Sequence, residues 1–380
     1  MLSHGNIASN ALAIANRFGV NSEDSFLSFL PLCHMLEKTC GYYAMLFSGV
    51  TIAYAGDLTT IVDDVQTTRP TILIIVPRVV EKIYEAVEKK VLESSLVRRR
   101  MVHGAILTLN RRTNLEYRGK KVNALLRIQS ALADRLVASK FRMIAGGRVR
   151  LLVSGGAPLD RGLAKTLLVL GFNILEGYGL TEASPVVASA KLDDNRLGTV
   201  GKPLYGVEIR IGDDEEILVR GPNVMQGYLN KPEETAKVID PDGWLHTGDQ
   251  GRFDERGNLV ITGRIKELIV TSYGKNVAPV PIETEISKSP YIDQVLLYGD
   301  NRNYITALVV PEKCAIENYA RENDLISAGY EELLRSSEIR ALISGEIERT
   351  TADRARYEKV KTFSIVPDSF TVANKLLTPT

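Results

Sequence analysis

Residues 71–76 (Thr-Ile-Leu-Ile-Ile-Val) form an uninterrupted apolar run that stops at Pro77. It is far too short to cross a bilayer. A run of this length bounded by a breaker reads as a buried strand. Around it, residues 1–80 alternate helical and extended patterns: a helix over 7–18, with Ser3 or Asn6 as candidate N-caps, and short strands over 25–30 and 51–55. Strands alternating with helices predict an α/β domain built on a parallel sheet.

The texture changes twice downstream. Residues 82–145 are mostly helix-forming. Over 82–150 the chain carries 17 Lys and Arg against 5 Asp and Glu, a net of +12 in a protein whose total is +1. Residues 148–154 read as another buried strand, ending in Gly155-Gly156-Ala157-Pro158; 164–170 is helical, and 172–175 is a strand leading into a loop, Glu176-Gly177-Tyr178-Gly179-Leu180-Thr181-Glu182. From Val207 the sequence is β-rich, with turns at Gly212-Asp213-Asp214, Gly227 and Asp242-Gly243 and a hairpin at Gly257-Asn258. A smaller unit of alternating strands and helices follows. The domains expected are 1–263, with 82–150 as a basic helical insert, and 264–380.

The glycine-rich strand ends carry the chemistry. In open α/β sheets ligands bind outside the carboxyl ends of the strands. Two such ends lie some 20 residues apart in sequence, at Ser154-Gly155-Gly156-Ala157-Pro158 and at the Tyr178 loop. Glycines admit a ligand close to the backbone. A Tyr ring can cover a purine, a Thr hydroxyl can reach a phosphate oxygen, and a Glu can hold the Mg2+ that accompanies nucleotide phosphates. A strand-to-loop turn with a half-buried Tyr fits the same residues. In Trp244-Leu245-His246-Thr247-Gly248-Asp249 a carboxylate after a Gly turn suits a ribose diol, and Arg264 lies 15 residues on. A β-turn Asp and a surface Arg fit equally.

Other classes are disfavoured. Cys33, Cys40 and Cys314 form no C-x-x-C pair and their odd number argues against a disulfide scaffold, so a reducing, cytoplasmic setting is expected. The four histidines, His4, His34, His103 and His246, lack metal-ligand spacing. No G-x-S-x-G elbow points to a serine hydrolase. The basic insert holds few aromatics, which speaks against nucleic acid. Its clusters Arg98-Arg99-Arg100, Arg111-Arg112 and Lys120-Lys121 suit either a peripheral contact with anionic membrane or solvated helix faces paired with acids elsewhere.

Taken in order, the segments 154–158, 178–182, 244–249 and 263–279 resemble the adenylate-forming, or AMP-binding, superfamily, and within it the long-chain fatty acyl-CoA synthetases. Leu30-Pro31-Leu32-Cys33-His34, the segment Val76-Pro77-Arg78-Val79-Val80-Glu81-Lys82-Ile83-Tyr84 and Gly274-Lys275-Asn276-Val277-Ala278-Pro279 look like that group, as does the helical insert. The resemblance covers essentially the whole chain. It implies a large adenylate-forming core and a small, mobile α+β C-terminal domain. It also implies a two-step ligation in which a long-chain fatty acid attacks ATP to give an acyl-adenylate, and CoA then displaces AMP, with Mg2+ required. By the same resemblance, Gly156 and Ala157 flank adenine and Tyr178 stacks on it. Thr181 contacts the α-phosphate, and Glu182 holds the metal. Asp249 and Arg264 bind the ribose, and Lys266 is the hinge. His34 lies near the reacting carboxylate, and Gly274 lines the pantetheine path.

Two departures follow. The superfamily's Ser/Thr/Gly phosphate loop belongs immediately before Met1, and no G-x-x-x-x-G-K-[ST] replaces it. The long-chain group's adenylation lysine follows a Leu-Thr-Pro-Thr segment, and here the sequence stops at Leu377-Thr378-Pro379-Thr380; Lys375 is out of register and takes no role. The chain is therefore expected to be incomplete at both ends and to form little or no acyl-adenylate. Three readings stay open: fatty acid–CoA ligation by the parent enzyme, adenylation of another carboxylic acid, and nucleotide binding without turnover.

Overall fold

The computed structural model describes residues 1–57, 60–92, 94–117, 119–325, 329–371 and 374–376, with the side chains of residues 82, 85–90 and 92 outside the description. The segment Leu377-Thr378-Pro379-Thr380 lies outside the described residues. The chain folds as two compact units, residues 1–247 with 251–261, and residues 248–250 with 262–380.

The first unit is built on a seven-stranded sheet. Its strands are β1 (Ser25–Ser28), β2 (Thr51–Tyr54), β3 (Ile72–Ile75), β4 (Leu151–Ser154), β5 (Ile174–Gly179), β6 (Val186–Ser189) and β7 (Lys202–Pro203), in the order β2-β1-β3-β4-β5-β6-β7. The first five are parallel; β6 and β7 join antiparallel. Both faces are covered. Ile72, Ile74, Leu151 and Val153 enter one core with the capped helix His4–Phe18, while Leu73, Ile75 and Leu152 enter a second core under the helical insert. That two-sided burial is why 71–76 carries no polar alternation.

The strand order reverses between β1 and β3. A right-handed connection from β1 to β2 and one from β2 through the helix Ile61–Thr68 to β3 then cover opposite faces. A four-stranded sheet, β8 (Glu208–Ile211), β9 (Glu216–Arg220), β10 (Leu245–Phe253) and β11 (Leu259–Arg264), in the order β11-β10-β9-β8, adds Ile217, Val219, Leu245 and Leu259 to the first core.

The structure corrects two expectations. The helical stretch starts at Pro77, not at residue 82: the helix Pro77–Leu92 has proline in its first turn, where the missing N–H costs nothing. Residues 176–179 are strand rather than loop, because β6 pairs with them, Gly177 opposite Ser189 and Tyr178 opposite Ala188.

The second unit is α+β. It holds the ribbon β12 (Ile269–Val270) with β13 (Asn276–Val277), and a three-stranded sheet of β14 (Ile292–Tyr298), β15 (Ile305–Pro311) and β16 (Val360–Ile365). The helices Pro279–Ile286, Lys313–Glu322 and Ser337–Thr350 bury Ile282, Ile286, Ile316, Ile339, Ile343 and Ile347 with them.

Candidate nucleotide site

Parallel pairing of β4 with β5 sets Ser154 beside Glu176, so the Gly155-Gly156 turn that ends β4 lies level with Gly177-Tyr178, where β5 continues. This register joins two motifs that the sequence keeps apart. Gly155 donates its N–H to Ile75 O of β3 at 3.2 Å, which holds the turn against the neighbouring strand end. Gly156 has φ +82°, a conformation glycine adopts freely. A Cβ there would touch Val76 at 3.7 Å and Leu36 at 3.9 Å without clash, so the backbone conformation rather than crowding asks for glycine. Gly156 and Ala157 are exposed, Tyr178 is half-buried against the first core, and Ser154 Oγ is buried with no hydrogen-bond partner among the described residues.

Beyond Gly179 the chain turns through a short 3-10 segment, Thr181–Ala183, and returns as β6. Distant residues brace this turn. Asn223 donates from Nδ2 to Ala183 O at 3.0 Å, Ser184 Oγ donates to Asn223 O at 2.7 Å, and Met225 N–H donates to Glu182 O at 2.7 Å. Asn6 of the first helix secures the brace by donating to Pro222 O and Val224 O. Thr181 is left exposed, and Glu182 is half-buried. Glu182 Oε1 accepts a 2.9 Å hydrogen bond from the Tyr228 hydroxyl. Burial, and then the Glu182 carboxylate, push the Tyr228 phenol up to about 12, so it stays a donor at neutral pH. Sequence reasoning missed Tyr228 and Asn223. The only local signal for the first was the Gly227 turn.

Glu176, two residues before Tyr178 on β5, is half-buried. Burial pushes its carboxyl up to about 7, against the lowering effect of the Gly198 N–H, 3.2 Å from Oε1, and of Arg161. His34 is exposed, on the turn that follows β1. Two residues later, Leu36 opens the wide helical turn Leu36–Tyr43 and lies 3.4 Å from where a Gly155 Cβ would be. The segment carrying His34 is thus brought against the glycine turn.

Four of the sequence candidates belong to the second unit. Asp249 is buried, and its Oδ1 accepts from Arg264 Nε at 2.9 Å; the Arg264 side chain is otherwise mostly exposed and also approaches Glu267. Lys266 is exposed in the short turn Ile265–Glu267. Gly274 has φ +68° with nothing within 4 Å of an added Cβ, so backbone conformation rather than crowding asks for glycine there.

A Mg2+ site with one protein carboxylate suits this arrangement. The ion commonly takes one or two carboxylates and fills its octahedron with water and substrate phosphates. Glu182 offers a hard oxygen donor whose other oxygen is fixed by Tyr228. No group of three or more His, Cys, Asp or Glu side chains is arranged to hold a metal among the described residues. Gly155-Gly156 beside Tyr178 likewise fits a flat base: bare backbone on one side and an aromatic ring on the adjoining strand.

On the same unit an apolar cavity of about 110 Å3 lies among the strands β1, β3 and β4 and the helices that cover them, lined by Phe29, Leu73, Ile75, Val80 and Leu152 among others. It shares the walls Tyr84, Phe141 and Leu170 with a trough of about 450 Å3 on the helical insert.

Comparison with known proteins identifies the family. The family model for AMP-binding enzymes matches residues 1–229, and that for the AMP-binding enzyme C-terminal domain matches residues 266–351. The chain belongs to the AMP-binding enzyme family, whose members form adenylates. It is 36% identical over 363 residues to the long-chain-fatty-acid–CoA ligase FadD15 of Mycobacterium tuberculosis, covering 94% of this chain and 59% of that protein. It is 32% identical over 404 residues to human long-chain-fatty-acid–CoA ligase 1, covering 100% of this chain and 55% of that protein. It therefore spans little more than half the length of these curated relatives. Among solved structures, ATP-bound MatB from Rhodopseudomonas palustris superposes with a TM-score of 0.66 at 26% identity, covering 97% of this chain and 61% of that one. The Bacillus subtilis o-succinylbenzoate-CoA synthetase MenE, with ATP and magnesium, shares the fold (TM-score 0.65, 20% identity, 96% and 62% covered).

Proposed function

We propose that the protein to which this chain belongs ligates a long-chain fatty acid to CoA through an acyl-adenylate, with ATP and CoA as co-substrates and Mg2+ as the metal. The observation that carries the acid class is the apolar cavity: no charged side chain lines it, which suits an alkyl chain far better than a short dicarboxylate, and it shares walls with a larger trough that Arg99, Arg100 and His103 help to line. The likeness to ligases named for long-chain fatty acids supports the same choice. On this reading Gly156 and Ala157 flank the adenine, Tyr178 stacks on it, and Thr181 meets the α-phosphate. Glu182 holds the metal, which when bound draws off charge from the phosphates. Asp249 accepts from the ribose hydroxyls with Arg264 beside it, His34 stands near the acid's carboxylate, Lys266 is the hinge and Gly274 leaves room for pantetheine. We also propose domain limits of 1–263 and 264–380. Positioning and charge stabilisation do most of the work in such chemistry.

The test uses binding, which requires no turnover by this chain. Non-hydrolysable acyl-sulfamoyl adenosines of graded chain length are titrated calorimetrically. Affinity is expected to rise steadily from acetyl to palmitoyl. A preference for a short or aromatic acyl group assigns the site to another acid. Equal affinity for all of them, matching that of AMP, reduces the chain to nucleotide binding alone.

A further inference from the structure

The helix Ala124–Ala133 and the wide turn Asp134–Ala138 that extends it present two unlike faces. One is buried: Ser130, Ala133, Val137 and Ala138 pack inward, against the helix Leu96–Tyr117 among others. The other holds Leu125, Ile128, Leu132 and Leu136, spaced by three and four residues, with 64%, 69%, 58% and 40% of their surface exposed. Such spacing sets four large aliphatic side chains in one stripe along the outside of the protein. Single exposed leucines need no explanation, but an aligned stripe does.

The surroundings of the stripe are cationic. Lys120 and Lys121 precede the helix, Arg127 and Arg135 are exposed on it, and exposed Lys140 follows. The one carboxylate between residues 119 and 144 is Asp134, and Arg142 holds it through two hydrogen bonds of 2.8 Å. That pairing leaves the rim basic. An apolar stripe with a basic rim is the pattern of a helix lying in a membrane interface, its aliphatic face among the upper acyl chains and its lysines and arginines at the headgroups. A second copy of the chain is a poorer occupant, since an isologous pairing over the stripe sets the two basic rims against each other.

We propose that the stripe formed by Leu125, Ile128, Leu132 and Leu136 seats in the headgroup–acyl boundary of an anionic bilayer, with Lys120, Lys121 and Arg135 contacting its lipid phosphates and carboxylates. No helix among the described residues is long and apolar enough to cross a membrane; the contact proposed for this stripe is with one face of the bilayer. The surface lies on the insert that also bears the trough lined by Val91, Val102, Ile106, Arg99 and Arg100, which would let a membrane-dissolved acid reach the protein without crossing water.

Co-sedimentation of the chain with vesicles of phosphatidylcholine alone, or of phosphatidylcholine with phosphatidylserine, tests this without nucleotide or fatty acid, so the result stands apart from the ligase reading. Binding is expected to favour the anionic vesicles and to weaken with salt. The exposed pair Ile128→Ser and Leu132→Ser is expected to lower affinity about tenfold or more while leaving thermal unfolding unchanged. Lys120→Gln with Lys121→Gln and Arg135→Gln is expected to cost about fivefold per charge on anionic vesicles only. Leu132→Trp adds a direct probe: its emission should shift blue on anionic vesicles and be quenched by brominated acyl chains. Equal binding by the serine variant, no binding by the unmodified chain, or a dimer that the serine variant dissolves in the absence of lipid would each overturn the proposal.

Discussion

Glu37 offers a prediction whose size follows from its surroundings. It lies on the wide helical turn Leu36–Tyr43, is fully buried, and accepts a short hydrogen bond from the Ser28 hydroxyl through Oε1; Oε2 is buried with no partner among the described residues. Its neighbours include Phe26, Cys40 and Gly41. Burial pushes the carboxyl up to about 7, against the lowering effect of Ser28. A carboxyl raised from 4.5 to about 7 favours the folded state while both states are protonated, and that advantage fades as pH climbs through 7. At ~1.4 kcal/mol per pKa unit, Glu37 should cost the fold about 2–3 kcal/mol more at pH 8 than at pH 5. Glu37→Gln cannot ionise, so this share of the pH dependence should vanish. The variant leaves a buried amide where Oε2 stood, which lowers stability by about 1–3 kcal/mol at every pH. The informative quantity is therefore the change between pH 5 and pH 8, compared across the two proteins. Contributions from other groups, including Glu176, cancel in that comparison. The assay is guanidinium unfolding followed by fluorescence of Trp244, the single tryptophan, which lies in the same unit as Glu37. Parallel pH dependence in both proteins would refute the argument that a neutral, poorly solvated carboxyl sits at this position.

Two more outcomes are expected. Tyr228→Phe removes the hydroxyl that fixes Glu182 Oε1; loss of such outer-shell support typically costs about tenfold in metal affinity, so calorimetry should show the Mg2+-dependent gain in ATP binding weakened by that order while AMP binding stays within about twofold, and unchanged or tighter Mg2+ dependence would remove Tyr228 from the site. Gly179→Ala drives a Cβ into the Pro185 carbonyl across the β5–β6 pair; the clash is with backbone, so unfolding free energy should fall by about 3 kcal/mol or more, and a loss below about 1 kcal/mol would show that the strands can separate there at little cost.

The sequence was most readable where burial leaves a local mark. Residues 72–75 and 151–153 are apolar on both faces because two cores sandwich the sheet, and that pattern is visible without any partner. Glu176-Gly177-Tyr178-Gly179 was harder. Glycines and an aromatic look like a turn, and only pairing with Val186–Ser189 makes them strand. The same limit hides the braces of the site. Tyr228 is 46 residues from Glu182, and Asn223 is 40 from Ala183, so neither shares a local pattern with the group it holds. Glu37 is concealed for a different reason: Leu36-Glu37-Lys38 reads as an ordinary charged turn, and only the fold reveals that the lysine is partly exposed while the acid is buried. The motif residues thus name the chemistry, while the side chains that hold them lie at sequence distances set by topology. Because Tyr228 and Asn223 both hang from one loop that Asn6 ties to the first helix, an Asn6→Ala substitution should disturb Glu182 through the brace although it touches neither motif. The order of Glu182 would then depend on the first helix as much as on its own seven-residue stretch.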